Sequence, residues 1–106
     1  MNLTFKDFPA TDSLREAVEK RADKVKTRYP EISTFEVVLA APHQHKHQGN
    51  LFTCHIEVHL PRVEPIVIDH DPDDNHAHED AYVAIRDAFK ALEKRLEHAT
   101  AHPRHR

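Results

Sequence analysis

Cations set four residues apart recur in two places in this sequence. Lys20, Lys24 and Arg28 keep that interval, with Arg21 beside them, and Arg86, Lys90 and Lys94 repeat it near the other end. On a helix, residues four apart lie on one face. Each set therefore makes a row of positive charge, and such rows bind phosphate and other polyanions. His43, His45 and His47 are spaced by two, so an extended backbone puts them on one side. A neutral imidazole trio of that kind can hold zinc, and His70, His76 and His78 can add to it. The plainer reading is a solvated, histidine-rich loop that gains charge at mild acidity. It is preferred, because nothing evident beside the trio orients the rings. Asp69, Asp71, Asp73 and Asp80 echo a calcium loop, but Asp74 stands where that loop needs Gly, and Pro72 intrudes. Neither a metal nor a cofactor is expected.

A catalytic reading needs a nucleophile with its base, or paired acids in a pocket. No Ser or Cys motif is present, and eleven histidines make chance pairs easy. Cys54 falls in an apolar row, where burial raises a thiol's pKa, the wrong direction for a nucleophile. No enzyme is expected. The single Cys excludes an internal disulfide and a multi-cysteine zinc site, and the single Gly excludes a glycine-rich phosphate loop.

These rows need elements to carry them. At 106 residues and 39% hydrophobic, the chain forms one domain with one modest core. No apolar run spans a bilayer and no secretory signal is present, so a cytoplasmic protein without membrane contact is expected. The net charge is −3, which at face value opposes a nucleic-acid partner. The acids are unevenly spread. Residues 69–80 hold six of them and no Lys or Arg, and the remainder sets 15 bases against 12 acids, a charge of +3. Local distribution decides polyanion binding more than the total does.

Residues 2–8 alternate, with Leu3 and Phe5 on one side, and Pro9 ends a first strand. Thr11 is a natural N-cap. A first helix runs from it to about Tyr29, stops at Pro30, and buries Leu14, Val18, Ala22, Val25 and Tyr29. Residues 32–41 form a second strand, followed by a polar loop, APHQHKHQGN. Residues 51–60 alternate cleanly, with Phe52, Cys54, Ile56, Val58 and Leu60 opposed to Thr53, His55, Glu57 and His59, so one face stays wet. Residues 63–69 make a short edge strand marked by Pro65. The acidic segment follows, with Asn75 or a nearby Asp as cap. A last helix then carries the stripe Ala81, Ile85, Ala88, Phe89, Leu92 and Leu96. The order is β-α-β-β-β-α. A helix between the first two strands makes them parallel neighbours with a right-handed crossover, and the rest is a meander. Both helices cover the same apolar face of a four-stranded sheet, an α+β two-layer sandwich.

These residues carry a resemblance. The chain resembles the short ribosome hibernation factors, the group of hibernation-promoting factor and ribosome-associated inhibitor A (sigma-54 modulation protein, S30EA-type). It is strongest in TDSLREAVEKRADKVKTRY, in FEVVL, and in the last helix, where Asp80, Tyr82, Ala84, Ile85, Leu92 and Leu96 match the family pattern. The resemblance implies a fold like that of double-stranded-RNA-binding domains and a non-catalytic role. It implies docking on the small ribosomal subunit near the decoding centre, occlusion of the mRNA and tRNA sites, and translation inhibition under stress. Residues 1–99 are then the ribosome-binding domain and 100–106 a basic tail. The family's C-terminal dimerisation domain is absent, so a monomer is expected, with ribosomal RNA as partner and no small-molecule substrate. By position, Arg21, Lys24 and Lys94 match family basic residues. Helical geometry adds Arg15, Lys20, Arg28, Arg86 and Lys90, and Tyr82 matches a family aromatic, either part of the core or a stacking contact. Departures from the family are Glu19, Asp23, Glu93 and Glu97, which dilute the field, and the long acidic link before the last helix. The reading from another class is a metal-binding protein using His43, His45 and His47.

Overall fold

The computed structural model describes residues 1–45, 49–69 and 80–101, and their side chains outside 42–50. The elements are β1 (Asn2–Lys6), α1 (Asp12–Arg28), β2 (Thr34–His45), β3 (Gly49–His59), β4 (Ile66–Ile68) and α2 (Ala81–Ala101). This is the expected β-α-β-β-β-α order. The sheet runs β1-β2-β3-β4. β1 pairs in parallel with β2, with Leu3 beside Val37 and Phe5 beside Leu39. β2 with β3, and β3 with β4, pair antiparallel.

Thr11 caps α1 as its residue type requires: its hydroxyl oxygen accepts the Leu14 N–H at 3.2 Å. Asp80 caps α2 in the same way, accepting the Tyr82 N–H at 2.9 Å. The expected stripes are the buried ones, Leu14, Val18, Ala22 and Val25 from α1, and Ala81, Ile85, Ala88, Phe89, Leu92 and Leu96 from α2. They meet Phe35, Val37, Leu39, Cys54, Ile56 and Val58 of the sheet in one cluster. Both helices therefore lie on one face, and each fully buried Leu or Ile there contributes about 1.5–3 kcal/mol.

Several boundaries differ from the sequence reading. β1 stops at Lys6 because Asp7 turns the chain in the left-handed region, φ 69°, which a short polar side chain tolerates. β4 is confined to Ile66–Ile68, directly after Pro65. The stretch read as a polar loop is largely strand: after an irregularity past Ala40, His43 pairs with Leu51 and His45 with Gly49. α2 continues two residues into the expected tail, to Ala101, and Thr100 Oγ1 donates to the Leu96 carbonyl at 2.7 Å.

The uncovered face of the sheet is polar, as expected. His59 Nε2 lies 2.7 Å from Glu57 Oε2, and His55 Nδ1 lies 3.3 Å from Asp69 Oδ1. Arg95 of α2 reaches over the β4 edge and donates to the Val67 carbonyl at 3.4 Å. No described helix is long and apolar enough to cross a membrane.

Candidate nucleic-acid interface

A helical repeat places residues on a common flank, and tertiary contacts say which flank meets what. Arg28 near the end of α1 pairs with Glu97 near the end of α2 at 3.3 Å. At the other end, Thr11, Ser13 and Leu14 share an open cleft with Asp80, Ala81 and Tyr82. The two helices therefore run parallel, side by side. The outward flanks are fixed independently. The Arg15 guanidinium lies over the Phe5 ring of β1, 5.6 Å from its centroid, and Arg95 lies over β4.

The cationic rows follow from these anchors. Lys20, Arg21 and Lys24 precede Arg28 by eight, seven and four residues, so they share the flank that faces α2. Arg86, Lys90 and Lys94 precede Glu97 by eleven, seven and three residues, which puts them on the flank that faces α1. Both rows thus rise along the seam between the helices, on the outer surface of the helical layer. Lys20, Lys24, Arg28, Arg86, Lys90 and Lys94 are exposed and Arg21 is half-buried. Ala17 sits in line with Arg21 and Lys24, and its small side chain opens a notch of about 250 Å³ lined by these two residues and Lys20. Sequence reasoning does not single out Ala17. The signal was available, since an alanine one turn from Lys20 and Arg21 and two from Lys24 leaves room for an anion beside them.

The two rows are unequal. On α1, at about 100° per residue, Arg21, Lys24 and Arg28 make an acid-free strip nearest α2, while Lys20 borders the acids, with Glu16 four residues before it and Asp23 three after. On α2, Glu93 and Glu97 interleave with the bases. Glu97 pairs with Arg28, and Asp87 lies 3.1 Å from Arg86 Nε. Among the described residues, no carboxylate pairs with Lys20, Arg21, Lys24, Lys90 or Lys94.

Arg15 is the departure from the expected set. It is not brought to the seam, because it projects from the opposite flank of α1 onto Phe5. A wheel drawn from sequence cannot tell which flank meets the neighbouring helix. Tyr82 is exposed, at 49%, and stands at the end of the seam where both helices start, outside the core.

The remaining candidates resolve less fully. His47, His70, His76, His78, Asp71, Asp73 and Asn75 lie outside the described residues, as do the side chains of His43 and His45. Among the described residues, no group of three or more His, Cys, Asp or Glu is placed to hold a metal ion. Cys54 is buried in the core, and burial pushes its thiol pKa up to about 12.

The comparisons with known proteins agree with this architecture. The family model described as sigma 54 modulation protein / S30EA ribosomal protein matches residues 1–102, and the chain belongs to this family of ribosome-associated factors. The Protein Y N-terminal domain from Thermus thermophilus has a similar fold, with a TM-score of 0.67 at 24% identity over 92% of this chain and 98% of that one. A ribosomal subunit interface protein from Coxiella burnetii is similar at a TM-score of 0.69 and 18% identity, over 95% of this chain and 99% of that one. At these identities the likeness speaks for the fold alone. No curated protein matches the sequence.

Proposed function

We propose that this member of the S30EA family is a ribosome hibernation factor acting through its helical layer. It docks as a monomer on ribosomal RNA of the small subunit, near the decoding centre. There it occludes the mRNA and tRNA sites and holds idle cytoplasmic ribosomes out of translation under stress. It performs no chemistry, since its task is occupancy. The observation that carries the reading is the row of unpaired cations on α1, continued by Lys90 and Lys94 across the seam. Structured RNA presents phosphates at its surface and hides its base edges in a deep groove, so such a row recognises shape and backbone. Counterion release drives the contact and makes it fall with salt.

The test is co-sedimentation with ribosomes from stationary-phase lysate. The wild-type protein is expected in the ribosomal pellet. A variant carrying Glu at positions 20, 24, 90 and 94 is expected in the supernatant, with its circular dichroism unchanged because all four side chains are exposed. Equal sedimentation of a folded variant would remove the basis for the proposal.

A further inference from the structure

Among the described residues, Tyr82 and Val67 are the large hydrophobic side chains left exposed. Val67 belongs to the β4 edge. Tyr82 instead walls an open cleft of about 620 Å³ between the starts of the two helices, lined also by Thr11, Ser13, Leu14, Asp80 and Ala81. Leu14 and Ala81 give it an apolar floor. Asp80 stands in its wall, and one of its oxygens accepts the Tyr82 N–H. Among the described residues its other oxygen has no partner. The site is therefore aromatic, apolar and acidic, and it lies at one end of the cationic seam. Ser13 and Lys20 are seven residues apart, about 10 Å along α1, so one RNA strand can reach both.

The geometry points to this cleft as the seat of one unstacked RNA base, guanine by preference. The inference rests on the helical layer being an RNA-binding face, and adds what that face does beyond holding phosphates. Asp80 repels a phosphate from the cleft but accepts hydrogen bonds from a base edge. The ring stacks on Tyr82, as unstacked bases do on exposed aromatics. Guanine presents two adjacent donors on its Watson–Crick edge, an imino N–H and an amino N–H, and these meet the free Asp80 oxygen. Uracil, cytosine and adenine each place an acceptor beside the donor and turn it toward the same carboxylate. Lys20, Arg21 and Lys24 then hold the neighbouring phosphates of the strand.

Tyrosine emission can read this event. The chain has two Tyr and no Trp, and Tyr29 is buried, so quenching by a stacked base reports on Tyr82. The probes are a short uridine-rich RNA with one central guanosine, the same RNA with an abasic residue there, and the all-uridine RNA. The guanosine RNA is expected to quench emission and to bind about tenfold more tightly than the abasic one. Tyr82→Phe keeps the binding but loses the optical signal, and Tyr82→Ala loses the tenfold. Asp80→Asn keeps an oxygen for the α2 cap but puts an amino group where guanine needs an acceptor, so it erases the preference for guanosine over uridine. Equal quenching by the abasic RNA, or undiminished guanosine binding by Tyr82→Ala, overturns the base site. If small subunits still retain wild-type protein and Tyr82→Ala equally in that case, the cationic face survives without the cleft. Absence of any wild-type binding to RNA or small subunits overturns both.

Discussion

Replacing Glu97 with Gln tests whether the seam works by its free positive charge. The wild-type Arg28 is held by Glu97 at 3.3 Å, with both side chains largely exposed, at 60% and 58%. An exposed pair of this kind contributes only about 0.2–1 kcal/mol to stability, so Glu97→Gln remains folded at ordinary temperature. It releases one guanidinium on the flank that already carries Lys20, Arg21 and Lys24. Each phosphate neutralised by a cation steepens the dependence of log affinity on log salt by about 0.7–0.9. The variant should therefore show a slope about 0.8 steeper than wild type. Between about 200 and 50 mM salt its affinity for small subunits should gain roughly threefold more than that of wild type. The assay is a set of binding isotherms at several potassium chloride concentrations, run beside Lys24→Gln, whose slope should be shallower by about 0.8. Parallel slopes for all three proteins would refute the reasoning, because the cations would then not be meeting phosphates.

Arg15→Ala serves as the internal control: it loses the contact with Phe5, costing about 0.5–1 kcal/mol in denaturant unfolding, and leaves the salt slope at the wild-type value. Leu92→Ala removes a fully buried side chain of α2 and should lower unfolding free energy by about 2–5 kcal/mol in a urea titration. Thr11→Ala should cost about 1 kcal/mol by the same measure, and Thr11→Ser much less, because serine keeps the oxygen that accepts the Leu14 N–H. Cys54 gives a pH signature. Its thiol ionises near 9.0 when unfolded and about 12 when folded, so above pH 9 the unfolded state holds fewer protons and stability falls with rising pH, by at most about 1.4 kcal/mol per unit from this group. Cys54→Ala should flatten that portion of the profile, and in the native wild type a thiol reagent at pH 8 should react only as fast as the core opens.

Most of the fold is legible in the sequence because its signals are apolar periodicity and local caps. The α1 stripe, the Thr11 cap and the alternation of Phe52, Cys54, Ile56 and Val58 each state their own structure. The extension of β2 and β3 from His43 to Gly49 does not. Ladder hydrogen bonds join backbone to backbone, and a run of His and Gln pairs there without the hydrophobic alternation that marks a half-buried strand. The candidate face was legible as two rows, since helical spacing alone aligns Lys20 with Lys24 and Lys90 with Lys94. It was not legible which side of each helix faces the other. Helical spacing already turns Arg15 about 140° from Arg28, but only tertiary contacts show which of those two flanks meets α2. The pairing of Arg28 with Glu97 was likewise out of reach, because it joins residues 69 positions apart.

The reach of Arg95 across β4 bears on how the protein behaves when crowded. A sheet edge with vacant carbonyls invites a second molecule to extend it, and repetition of that event makes fibres. Here the three-residue edge has one of its carbonyls occupied by a guanidinium from the same chain, and the opposite border, β1, ends in Lys6. Loss of the Arg95 side chain would cost little folding energy, yet it would remove a guard against self-association. Its consequence should therefore surface as turbidity in concentrated solution while the melting temperature barely moves.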